Sequence, residues 1–190
     1  MDTSTPKVIR YDKRITFYYV RNNGYVEKTL AMLKEQGIIM RSLHIVGDWI
    51  DHLHVPEGIE TLIACRLGLK TICIPSSLQQ IYIDDNCLTE LRLPKNSKAT
   101  LIEARCNYIE HFICEDDKFP NSLKIIKLKS NRLRELLYPR HPNLWTVDIR
   151  YQNLFIRRDR IHESLLQSDA NEEYEFRSCQ FENNIETNRC

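Results

Sequence analysis

The sequence predicts an α/β solenoid: a curved parallel β-sheet of about six stacked repeats, with an irregular or 3₁₀ convex side and a strand–helix cap at the N-terminal end. Three observations carry that expectation. An apolar spacing, LxxLxLxxNxLxxL, recurs along the chain. Its copies follow one another at a nearly constant step, and prolines fall at the same point after the second apolar cluster.

The clearest copies are Leu78, Ile81, Ile83, Asn86, Leu88 and Leu91, and then Leu123, Ile126, Leu128, Asn131, Leu133 and Leu136. Between them Ile102, Ala104, Asn107, Ile109 and Phe112 keep the same spacing. Looser copies flank these three. Met40, Leu43, Ile45, Asp48, Ile50 and Leu53 form one, and Ile59, Leu62, Ala64, Leu67, Leu69 and Ile72 a second. Leu144, Val147, Ile149, Gln152 and Leu154 form the last. The polar slot therefore falls at 48, 67, 86, 107, 131 and 152, in steps of 19, 19, 21, 24 and 21. Within each copy the LxL piece reads as a short strand whose apolar side chains alternate inward. An asparagine where the chain leaves that strand can pair neighbouring backbone groups. Asn86, Asn107 and Asn131 thus read as a structural ladder and not as catalytic groups.

Over residues 38–157 this pattern resembles the leucine-rich-repeat family in its short-repeat form. Pro56, Pro75, Pro94 and Pro139 mark the return path, and Pro120 is a near echo. That path is too short for a full helix, and proline favours extended geometry, hence the irregular or 3₁₀ convex side. The longest step contains residues 114–118, expected to bulge out. The resemblance implies recognition of another macromolecule, and arrays of this kind are found in bacterial effectors and some viral and protist proteins.

Residues 1–37 are expected to form the cap. They contain a β-rich run at 15–20, a turn at 21–24, and a helix at 25–36 with Val26, Leu30 and Leu33 on one face and Gly37 as its stop. Residues 158–190 are expected to hold a short capping helix near 161–166, then a weakly ordered polar tail with Tyr174, Phe176 and Phe181 as apolar anchors.

Composition narrows the function. Twenty-seven basic residues nearly balance 26 acidic ones, so no global field favours nucleic acid or a membrane surface. No run approaches the roughly 18–20 apolar residues that cross a bilayer. Seven cysteines without a CxxC pair, behind an N-terminus lacking an apolar run, suit reduced thiols in an intracellular, cytoplasmic protein; for a pathogen effector this means the host cytoplasm. Only five glycines are present, and no phosphate-loop, dinucleotide, zincin or hydrolase-elbow motif occurs. His52 and His54 straddle a core leucine with no third ligand nearby, so neither metal nor cofactor is expected. Cys65 and Cys106 are placed on outward strand positions with only Arg66 and Arg105 as cationic neighbours. No histidine is in reach to activate them, and a non-enzymatic protein is expected.

The repeat frame assigns the concave face residue by residue. One column is His44, Ile63, Tyr82, Glu103, Lys127 and Asp148; the next is Val46, Cys65, Asp84, Arg105, Lys129 and Arg150. A preceding column holds Ser42, Thr61, Gln80, Leu101, Ile125 and Thr146. The first two columns run from apolar through acidic to basic, which suits a protein partner whose apolar centre is framed by charge. One alternative is RNA, held by Arg105, Lys127, Lys129, Arg132, Arg134, Arg150, Tyr151, Arg157 and Arg158. The other is self-association, through an exposed edge strand or through the apolar part of the face.

Overall fold

The computed structural model describes residues 7–20, 23–47, 49–139, 141–152, 160 and 162. The inward pairs of each copy are Leu43 and Ile45, Leu62 and Ala64, Ile81 and Ile83, Ile102 and Ala104, Ile126 and Leu128, and Val147 and Ile149. All are at most 3% exposed. They fall in one core cluster with the return-side residues Leu53, Leu91, Phe112 and Leu136. A strand of three residues cannot bury its apolar side alone, so the copies stack into a parallel β-solenoid of about five turns.

In chain order, β1 (Lys7–Tyr11), β2 (Arg14–Val20) and α1 (Asn23–Glu35) come first. The first turn holds β3 (Ser42–Gly47) and β4 (His52–His54), the second β5 (Thr61–Ile63) and β6 (Thr71–Cys73). The third holds β7 (Gln80–Tyr82) and β8 (Glu90–Leu93), the fourth β9 (Leu101–Glu103) and β10 (His111–Cys114). β11 (Ile125–Lys127) opens the fifth, and β12 (Thr146–Asp148) follows it. The main sheet has eight strands in the order β1-β2-β3-β5-β7-β9-β11-β12. Its parallel register aligns Ser42, Thr61, Gln80, Leu101, Ile125 and Thr146 across the turns. Those are the steps read from the polar slot.

Two expectations are corrected. The return side is not irregular or 3₁₀ through these turns: β4 pairs with β6 and β8 with β10, both parallel. Pro56, Pro75 and Pro94 lie just past β4, β6 and β8, where no ladder bond needs their missing N–H. The pairing idea continues at Leu136, whose N–H donates to the Arg160 carbonyl at 2.7 Å while its own carbonyl accepts from His162 N–H at 2.8 Å. The second correction concerns the cap, which is a hairpin plus a helix. β1 and β2 are antiparallel about a two-residue turn in which Asp12 takes φ +50°, a conformation aspartate tolerates.

β2 then lies parallel to β3, so the cap and the array share one sheet. α1 makes the crossover, burying Val26, Leu30 and Leu33 and setting Tyr25 edge-on to Phe17. Gly37 at φ +72° ends it, with Ile38 N–H donating back to the Leu33 carbonyl at 2.9 Å. Gly47 allows β3 to close on the end of β2, because a Cβ there would meet the Val20 carbonyl oxygen at 2.7 Å.

The polar slot works as a ladder. Asn107 Nδ2 donates to the carbonyls of Ile83 (3.0 Å), Ala104 (3.3 Å) and Arg105 (3.2 Å), and its Oδ1 accepts from Leu88 N–H at 3.1 Å. Asn86 and Asn131 repeat the pattern one turn to either side. Gln152, one methylene longer, reaches the Leu128 and Ile149 carbonyls and takes the Leu133 N–H. The residue before each of the last five slots is left-handed: Arg66, Asp85, Cys106, Ser130 and Tyr151 have φ between 54° and 60°. That turn costs on the order of 1 kcal/mol per non-glycine residue, which the ladder offsets. The slot at Asp48, Leu154, the turn residues 21 and 22, the capping helix predicted near 161–166 (His162 apart) and the tail lie outside the described residues.

Asn107→Ala leaves the buried Leu88 N–H without a partner and takes one of two hydrogen bonds from each of the Ile83 and Ala104 carbonyls, which keep those from Asn86 and Asn131. It should cost about 2–4 kcal/mol in urea unfolding. Gln152→Ala, at a half-buried site, should cost about half as much; equal or negligible losses at both sites would contradict the ladder.

Candidate functional site

Register places His44, Ile63, Tyr82, Glu103, Lys127 and Asp148 in one row on the outward face of the main sheet. Val46 lies in β3, while Cys65, Asp84, Arg105, Lys129 and Arg150 follow their strands. They remain stacked because the inter-turn bonding continues, as with Arg66 N–H to the Asp84 carbonyl (3.1 Å) and Cys106 N–H to the Lys129 carbonyl (3.0 Å). The sheet is two strands wider than the six repeats predict. β1 and β2 extend the rows, setting Ile9 and Thr16 in line with His44, and Lys7 and Tyr18 in line with Val46. Eight strands make this face roughly 34 Å across.

Its two halves differ. At the N-terminal end Val46 is 40% exposed, and half-buried Tyr18, Ile63 and Tyr82 lie beside it. His44 sits within this apolar patch. Burial lowers its pKa and the nearby Arg14 charge lowers it further, so the imidazole is neutral at pH 7. At the other end the predicted acidic-to-basic gradient proves to be internally paired. Arg105 bridges Asp84, at 2.8 Å, and Glu103. Glu103 also holds Lys127 at 2.8 Å, and Asp148 holds Arg150 at 2.9 Å. Lys129 lies over the Tyr151 ring, 5.0 Å from its centroid. Burial alone would raise the Asp148 carboxyl, but the hydrogen bonds from Arg150 and the charges of Arg150 and Lys129 outweigh it and hold the group below its ordinary range.

The cysteines singled out in the sequence lie outside the strands: β5 ends at Ile63 and β9 at Glu103. Burial pushes both thiols up, and the Asp84 and Asp85 carboxylates push them further, although the Asp84 backbone and Arg66 oppose this at Cys65 and Ser130 opposes it at Cys106. That is the reverse of thiolate activation. On the return side His52 shares a hydrogen bond of 2.6 Å with Thr71 Oγ1. Among the described residues no three His, Cys, Asp or Glu side chains converge as a metal site would require, and no helix is long and apolar enough to cross a membrane.

Two features escaped the sequence reading. A groove of about 620 Å³ separates α1 from the first return turn, walled by Leu30, Ala31, Ile38, Ile39, Met40 and Pro56. Ile39, 68% exposed, was the available signal: an apolar residue in a linker. Trp49, also exposed, lies against Gly68 so closely that a Cβ there would fall 2.3 Å from its ring. No family model, curated protein or solved structure matches the chain.

The depressed Asp148 pKa means its contribution to stability is present above the ordinary value of 3.8 and is lost as pH falls through the folded value. Asp148→Asn should therefore flatten the decline of the urea midpoint between about pH 4 and pH 2. An unchanged slope would show that the Arg150 contact does not hold the carboxylate.

Proposed function

We propose that the chain is a leucine-rich-repeat-type module that acts by binding another protein on the outward face of its main sheet, as an adaptor, inhibitor or effector, and not by catalysis. The observation that carries this reading is the contiguous patch of Tyr18, Val46, Ile63 and Tyr82 on adjoining strands. Aromatic and aliphatic groups gathered on a rigid surface are what interface centres are made of. The neighbouring charges support the same reading. Arg105, Lys127 and Arg150 are held by acids of the same face, so they present fixed pairs suited to setting register with a partner.

That pairing weighs against RNA, for which the cations would need to face phosphate. Of the remaining basic candidates, Arg134 is paired with Glu110 at 2.6 Å and Arg132 stacks over Tyr108; Arg157 and Arg158 lie outside the described residues. Free thiols at Cys65, Cys73, Cys87, Cys106 and Cys114 fit a reducing, cytoplasmic setting.

A photo-crosslinking amino acid at Tyr82 should yield partner adducts that the same group at return-side Glu115 does not. Ile63→Asp should weaken capture about 30-fold or more with the far-ultraviolet circular dichroism unchanged. Equal adducts from both positions, or full capture by the folded Ile63→Asp protein, would remove this face from consideration.

A further inference from the structure

β1 ends the main sheet, and its outer side pairs with no other strand among the described residues. The hairpin geometry fixes what that side offers. In a two-residue hairpin the closing pair, here Tyr11 and Arg14, exchanges its own hydrogen bonds, and the pattern then alternates. Lys7, Ile9 and Tyr11 therefore bond inward to β2, while Val8 and Arg10 turn their N–H and carbonyl groups outward. No bulge interrupts β1, and its face residues are uncovered: Ile9 is 43% and Tyr11 81% exposed.

We propose that this edge pairs with the same edge of a second copy, antiparallel, about a two-fold axis through Ile9. Self-complementarity selects the occupant. In that register Val8 opposes Arg10 of the second copy and Arg10 opposes Val8, so every outward N–H meets a carbonyl. Ile9 meets Ile9 as the close, non-hydrogen-bonded pair. Lys7 meets Tyr11 twice, a cation against an aromatic ring. Lysine and arginine on an edge ordinarily repel other strands; here neither faces a like charge directly across. Other registers give this up. Moving the axis to Arg10 sets Arg10 against Arg10, moving it to Val8 sets Arg10 opposite position 6, a proline without an N–H, and a shift of a single residue mismatches the outward groups.

The interface is small against the roughly 1,200 Å² of a stable complex, so the dimer is a weak one. It joins two main sheets into one of sixteen strands, with the row Ile9, Thr16, His44, Ile63 running on into its symmetry mate. This pairing stands apart from whatever the sheet face binds.

Sedimentation velocity over a concentration series tests it: the weight-average mass should rise from monomer toward dimer. Arg10→Pro deletes one outward N–H at an exposed side chain and leaves the bonds to β2 in place; it should raise the dissociation constant at least about tenfold. Ile9→Cys should give a disulfide-linked dimer on oxidation beyond the wild-type background, since the close antiparallel pair has the Cα separation a disulfide needs. Arg10→Cys should not. A wild-type chain that stays monomeric at the highest concentration, or equal crosslinking at 9 and 10, would overturn the proposal.

Discussion

A strand of three residues, bonded to neighbours of the same length, has almost no stability in water. What makes such strands persist here is the buried amide that follows β7, β9, β11 and β12. Asn86, Asn107, Asn131 and Gln152 each tie the carbonyls of their own strand to the backbone of the turn before. The tight left-handed corner before each slot would otherwise leave those groups buried and unpaired. Given the ladder, the strands stay in register, the inward leucines and isoleucines share one core, and the outward residues fall into rows. Everything proposed about the surface depends on those rows being straight.

The rows also explain the electrostatics. Residues separated by one repeat are neighbours in space, so ion pairs recur at the repeat step, as between Arg66 and Asp85, Lys70 and Asp51, and Lys127 and Glu103. Each exposed pair contributes under about 1 kcal/mol. On the outward face of the main sheet such pairs make one half a lattice of satisfied charge, and the other half is apolar and aromatic. In the proposed binding, energy would come from the second and orientation from the first.

Much of this was legible in the sequence because a parallel in-register stack writes its geometry directly into residue spacing. The slot positions fixed the strand positions, the inward pairs and the outward columns, and even Gln152 was placed correctly in the amide slot. The acid–base pairing was legible in the same columns, since Asp84 and Arg105 are adjacent there; reading each column end to end as a gradient hid it. Other features left weaker marks. Strands β4 and β6 are only three residues long and are followed by proline, which points equally to a strand end and to irregular chain. The turn between β1 and β2 carries Asp12-Lys13 and no glycine, so one run of β-formers looked like one strand. The groove beside α1 depends on how the helix settles against the first turn, which no local pattern encodes.

The amide ladder points one way. Each bond made by Asn86, Asn107, Asn131 or Gln152 reaches a residue with a lower number than its own. A ribosome releases the chain from its N-terminus, so the groups that satisfy each slot have already been synthesised when that slot emerges. The hairpin and α1 provide the first surface, and every later turn can settle onto one already formed, whose open N–H groups its own amide then pairs.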